Sequence, residues 1–121
     1  MSSLNKRRVL VCGGRKYSNY SHLKMVLSSF EPAVVISGKA PGADSLAERW
    51  AKEAGVKFEG YPADWKTNGR AAGPIRNQQM LDEGKPDFVI AFPGGKGTAD
   101  MVKRAKAACL PVISIRVLTQ G

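Results

Sequence analysis

The chain has 121 residues, with 19 Lys and Arg against 10 Asp and Glu, a formal net charge of +9 and 43% apolar residues, which suits a single domain over residues 1–121 with its own core. No apolar run reaches the roughly 18 residues that cross a bilayer, and Val9 to Cys12 is too short for a signal-peptide core, which argues against membrane spanning and secretion. Cys12 and Cys109 lie far apart and His22 is the one histidine, so neither a disulfide framework nor a metal site is expected, and a reducing cytoplasm fits best.

The first predicted element is a strand from Arg8 to Val11, ended by Gly13 and Gly14. Leu23, Val26, Leu27 and Phe30 then recur at i, i+3, i+4 and i+7, the stripe of a core-facing helix. A second strand is expected at Val34 to Ile36. A second helix follows, with Leu46, Ala47, Trp50, Ala51 and Ala54 on one side and Glu48, Arg49, Lys52 and Glu53 on the other. Val56, Phe58 and Gly60 alternate with Lys57 and Glu59, as on a half-exposed edge strand. Tyr61 to Gly73 reads as one long connection, of a length that in small domains is often functional. A third helix is predicted from Pro74, a favourable first-turn residue, to about Glu83. A strand at Phe88 to Phe92, a helix from about Thr98 carrying Met101, Val102, Ala105, Ala108 and Cys109, and a strand at Val112 to Ile115 complete the order. Short β-branched and aromatic runs bounded by Gly or Pro suit strands buried on both faces. Their regular alternation with helices predicts an α/β, doubly wound parallel sheet of about five strands, with right-handed crossovers and helices on both faces.

Charge is unevenly spread. Residues 1–30 hold six basic side chains, Lys6, Arg7, Arg8, Arg15, Lys16 and Lys24, and no acid; residues 91–121 hold five against one. Residues 1–7 form a basic lead-in. The asymmetry has two readings, an anionic partner such as a small ligand or a nucleic acid, or solubility alone.

Every glycine cluster follows a strand and precedes a helix: Gly13-Gly14-Arg15, then Ser37-Gly38-Lys39-Ala40-Pro41-Gly42-Ala43-Asp44, then Pro93-Gly94-Gly95-Lys96-Gly97-Thr98. In an open α/β sheet all three fall at the carboxyl edge, where ligands bind. Glycine lets backbone approach a phosphate, and the following helix N-terminus supplies free N–H groups. GxxxxGK[ST] and GxGxxG are both missing, which argues against a Walker-type ATPase and a standard dinucleotide dehydrogenase.

The Pro93 to Thr98 loop resembles the PGGxGT motif of the SLOG superfamily, which includes the LOG phosphoribohydrolases and the DNA-processing protein DprA. With Cys12-Gly13-Gly14-Arg15, Gly42-Ala43-Asp44, Pro62-Ala63-Asp64-Trp65, Ala72 to Asn77 and Ala99-Asp100-Met101, the chain is similar to the YspA, or YpsA-related, branch from Val9 to Val117. The resemblance implies a Rossmann-like fold with sheet order 3-2-1-4-5. It also implies a nucleotide or nucleotide-derived ligand over the glycine loops, of nucleoside monophosphate, NAD or ADP-ribose type, and a homodimer as in LOG enzymes. LOG enzymes cleave the N-glycosidic bond of nucleoside 5′-monophosphates with a helix arginine and the glutamate of PGGxGTxxE. Arg76 looks like the counterpart of that arginine. Met101 occupies the glutamate position, with Asp100 one residue earlier, a helical rotation of about 100°. Asn77 replaces the second basic residue of LOG enzymes, and Lys39 stands where the branch usually has glycine. These departures leave sensing, sequestration or weak phosphoribohydrolase activity as the expected roles. Nucleic-acid binding through the basic surface, as in DprA, is the alternative.

The remaining candidates each carry two readings. Asp44 and Asp100 either stabilise helix N-termini or face the ligand, as ribose-binding or catalytic carboxylates. Arg76, read as a first-turn cation opposing the helix dipole, needs an anion, either Asp64 or a ligand phosphate. Trp65 either stacks on a base or plugs the core beneath its loop. Gly13, Gly14, Arg15, Gly38, Lys39, Gly42, Asp44, Trp65, Arg76, Asn77, Pro93, Gly94, Gly95, Gly97 and Thr98 form the expected binding set, with Arg76 and Asp100 as the catalytic candidates. Cys12 is expected to be core packing and His22 a surface helix residue.

Overall fold

The computed structural model describes residues 7–116. Most of the basic lead-in, Lys6 included, and Val117 lie outside them. Five strands form one sheet in the order β3-β2-β1-β4-β5, with every neighbouring pair parallel. β1 (Arg8–Cys12) is central, β2 (Val34–Ser37) and β4 (Phe88–Ala91) flank it, and β3 (Lys57–Gly60) and β5 (Val112–Ser114) are the edges. The order is the one the family resemblance implies. The helices are α1 (Tyr20–Phe30), α2 (Ala43–Ala54), α3 (Trp65–Asn68), α4 (Ala72–Gly84) and α5 (Lys96–Ala107).

The period-2 geometry of strands splits β1 between two cores. Val9 and Val11 face Leu23, Leu27, Ala47, Trp50 and Ala51 of α1 and α2. Leu10 and Cys12 face the other way, toward Met80 and Leu81 of α4 and Met101 and Ala105 of α5. Helices thus cover both faces of the sheet. The central strands are buried, whereas the edge strand β3 is only part-covered, and it does not alternate as its sequence predicts: Phe58 and Glu59 are both half-buried, Glu59 because it pairs with Arg8. Burial lifts the Cys12 thiol to about 12, with the nearby Asp44 carboxylate adding to the rise, as befits a core residue.

Strand ends differ from the sequence reading by a single residue, and the helices differ more. The connection after β3 contains α3, capped by Asp64, whose side chain accepts from the Thr67 N–H at 3.1 Å. A 3₁₀ turn at Gly69–Ala71 then runs directly into α4, which begins at Ala72 rather than Pro74. Likewise α5 begins at Lys96 rather than Thr98, and Ala108 and Cys109 fall beyond its end, exposed. At the amino edge of the sheet Arg8 is fully employed: it pairs with Glu59 at 2.6 Å and donates to the Gly84 carbonyl. Its cation therefore holds the fold together and lies away from the carboxyl edge.

Candidate functional site

After Cys12 the chain leaves β1 for the carboxyl edge, at the point where the strand order reverses between β1 and its two neighbours. Gly14 ties three loops together there. Its N–H donates to the Pro93 carbonyl at 2.8 Å, and its carbonyl accepts from Ala43 N–H at 3.1 Å and Tyr17 N–H at 3.2 Å. This crossing demands small residues. A Cβ on Gly42, which sits at φ +81°, would strike the Gly14 carbonyl. The three glycine clusters are thereby gathered around one cleft of about 1040 Å³.

Every residue of the expected set lines that cleft except Gly42, which stands behind the wall as the N-cap of α2. Asp44 lies in the first turn of α2 and is 6% exposed. Its carboxylate accepts from the Ala40 N–H at 3.3 Å, which fixes the turn between β2 and α2. Burial pushes its pKa up to about 6, against the pull of the Ala40 N–H, the Arg76 cation, the Gly38 N–H and the Ser37 hydroxyl.

Arg76 requires a correction. Because α4 starts at Ala72, Arg76 sits in its second turn, beyond the strongest reach of the helix dipole. Asp64 caps α3 instead of meeting it. The Arg76 guanidinium donates to the Gly38 carbonyl at 2.6 Å and to Asn77 Oδ1 at 3.0 Å, beside the Asp44 carboxylate. Gly38 leaves the space it fills, since a Cβ there would collide with the guanidinium. Burial lowers the Arg76 pKa from its usual value, and Asp44 offsets part of that fall.

Asp100 also differs from a helix-opening cap. It sits in the second turn of α5, where it accepts from Arg104 at 2.8 Å and from Asn77 Nδ2 at 2.9 Å. Partial burial works against its charge, but these two donors outweigh it and hold the carboxyl below its ordinary pKa. Met101, one residue on, is 1% exposed and packs into the core under α5. The N-terminus of α5 presents a different surface. Its N-cap is Gly95, with no side-chain cap and no acid in the first turn. A Cβ built on Gly95 or Gly97 would meet nothing within 4 Å, so the space before this helix is open.

Lys39 holds a left-handed backbone, φ +58°, a conformation that glycine adopts at least cost. Its ammonium pairs with Glu48 at 3.3 Å and lies over the Phe58 ring, so the charge is already partnered although the residue lines the cleft. Trp65 is 50% exposed at the cleft mouth, which sets aside its core-plug reading. Around the same mouth stand Lys16, Arg70 and Lys96, none of which the sequence reading chose. Lys96 was legible inside its own motif, and Lys16 adjoins Gly13-Gly14-Arg15. Arg70 falls in the long connection and carries no local signal. Tyr17 also lines the cleft, and its hydroxyl is the single buried side-chain polar atom without a partner among the described residues.

A family model described as the YspA, cpYpsA-related SLOG family matches residues 7–67. The chain belongs to that family. The Gene 61 protein of Mycobacterium phage D29 is 36% identical over 122 aligned positions, covering 89% of this chain and 95% of that protein. Among solved structures, DNA processing protein A (DprA) from Streptococcus pneumoniae superposes with a TM-score of 0.77 at 21% identity. That superposition covers 95% of this chain and 52% of the DprA chain, so the SLOG domain described here spans about half the length of DprA. The likeness is one of fold: the Rossmann-like sheet expected from the sequence.

Proposed function

We propose that the cleft binds a phosphate-bearing nucleotide or nucleotide-derived ligand, of nucleoside monophosphate, NAD or ADP-ribose type. The supporting observation is the N-terminus of α5, which is uncapped, free of first-turn acid and open to the cleft. Unpaired N–H groups and the positive end of the helix dipole favour an anion at such a place. In this reading Gly94 to Thr98 cradle the phosphate, and Arg15, Lys16, Arg70 and Lys96 supply positive field around the mouth. The ligand is held more than it is cleaved, as by a sensor or sequestering protein. Asp100 is engaged by Arg104 and Asn77, and Met101 offers no carboxylate. A thermal-shift series with nucleoside monophosphates, NAD and ADP-ribose is expected to raise the melting temperature, since a ligand that binds only the folded state stabilises it. No movement with millimolar ligand and monodisperse protein refutes the reading. A homodimer is part of the proposal, and light scattering that finds a 13.0 kDa particle at high concentration removes it.

The exposed cations at the cleft mouth favour a second reading, nucleic-acid binding, in keeping with the fold shared with DNA processing protein A. The two readings separate by salt. Nucleic-acid affinity falls steeply with ionic strength through counterion release, and a mononucleotide in a cleft responds more gently.

A further inference from the structure

Trp65 belongs to neither core of the fold. It opens α3, a four-residue helix with no buried residue, and half of its surface faces solvent. Its ring is not stray apolar surface, because it lines the same cleft as the glycine loops. One ring edge, at Cη2, comes within 3.5 Å of the place a Cβ would take on Gly73, so α4 presents bare backbone to the indole. From the loop after β1, Arg15 sets its guanidinium carbon 5.8 Å from the ring centroid. Arg15 itself is exposed and has no ion-pair partner among the described residues.

A phosphate alone occupies a small part of a cleft of about 1040 Å³. Apolar groups supply much of the remaining wall, among them Tyr17, Pro62, Met80, Pro93 and the indole itself. Planar aromatic faces pair favourably with an indole, and a guanidinium stacks on the same kind of surface. Resting on the nucleotide reading above, we propose that Trp65 and Arg15 form a base-stacking platform. The platform ranks ligands by the area of their aromatic face, purine above pyrimidine and both far above a ligand with no base. Stacking reads a π-face rather than a base edge, so the site tolerates different purines while rejecting bare sugar phosphates.

The molecule provides its own optical test. Its two tryptophans are Trp50, which is 5% exposed in the core of α2, and Trp65 at the cleft. AMP, CMP and ribose 5-phosphate are titrated by calorimetry and by tryptophan fluorescence into the wild type, Trp65→Phe and Trp65→Ala. α3 buries nothing, so both variants are expected to fold, which far-UV circular dichroism checks. AMP is expected to bind the wild type about 5- to 150-fold more tightly than ribose 5-phosphate and to change the indole emission. CMP falls between them. Trp65→Ala brings AMP down to the affinity of ribose 5-phosphate and leaves ribose 5-phosphate itself unchanged, and Trp65→Phe keeps most of the AMP advantage. Equal affinities of AMP and ribose 5-phosphate for the wild type, with no emission change, overturn the platform and leave phosphate binding standing. Equal losses for both ligands in Trp65→Ala overturn it too, since they indicate a role in shaping the cleft. If none of the three binds, the platform falls, and with it the nucleoside-monophosphate form of the nucleotide reading.

Discussion

Replacing Asp44 by Asn tests whether the carboxylate at the root of α2 burdens the unliganded fold. Burial raises its pKa from 3.8 to about 6 in the folded state, and the side chain is 6% exposed, so solvent screening removes little of the effect. The folded state thus prefers the protonated acid. The contribution of this group to stability is full below pH 3.8 and is lost as pH rises through about 6. A rise of that size corresponds to about 3 kcal/mol between the two ends of the window. Asn removes the charge but keeps one acceptor for the two backbone N–H groups, of Ala40 and Gly38, that the carboxylate serves. Loss of the other bond returns about 1 kcal/mol. At pH 7.5 Asp44→Asn should therefore be about 2 kcal/mol more stable than the wild type, roughly 6 to 12 °C in melting temperature. The advantage should shrink with falling pH and reverse below about pH 4. Urea denaturation of both proteins from pH 4 to pH 8 measures this difference. A variant less stable than the wild type at pH 7.5, or a difference that ignores pH, would falsify the assignment of a buried, costly charge.

Arg76→Ala removes the donor to the Gly38 carbonyl and the cation beside Asp44, so the apo protein should lose about 1 to 3 kcal/mol. Unchanged denaturation with weakened nucleotide binding would show instead that Arg76 serves the ligand alone. Gly42→Ala, at φ +81° against the Gly14 carbonyl, should cost well over the about 1 kcal/mol expected of Gly55→Ala, whose φ of +72° is similar but whose Cβ would meet open space. Equal losses in thermal melts would contradict the crossing described at Gly14. Lys39→Gly relaxes a left-handed backbone at the expense of an exposed ion pair, so the variant should be no less stable and up to about 1 kcal/mol more so. A clear destabilisation would give the Glu48 pair more weight than its exposure allows. Tyr17→Phe deletes a buried hydroxyl that has no partner and should leave stability unchanged or raise it by about 1 kcal/mol. A drop beyond that size in the denaturation midpoint would reveal a bond to the hydroxyl.

The sheet was legible because burial on both faces leaves a simple mark. Val9, Val11 and Val35 on one side, and Leu10, Ile36 and Val89 on the other, fall in short unbroken apolar runs, each followed within two residues by Gly or Pro. What escaped was set by short or non-local geometry. α3 has four residues, too few for any helical period to register, although Asp64 three residues before Thr67 is a capping pattern. With the 3₁₀ turn ahead of it, α4 starts two residues early, which moved Arg76 from the first turn to the second and changed the partner its charge required. Met101 and Asp100 behaved as helical rotation dictates: the apolar neighbour went into the core and the acid stayed at the cleft. Arg76 meets Gly38 and Asp44 across more than thirty positions, and no spacing rule in a single sequence links them.

The hydrogen bonds around Gly14 bear on how the site comes into being. They join segments near residues 14, 43 and 93, which approach one another only after β1 has paired with both β2 and β4. Contacts so distant along the chain form late, because each closes a long loop. The cleft is therefore assembled by the same cooperative step that completes the sheet, and a fragment ending before β4 would own most of the ligand-facing residues yet no site. In hydrogen exchange the Gly14 amide should accordingly behave as a core amide despite lying in a loop, opening only when the whole domain does.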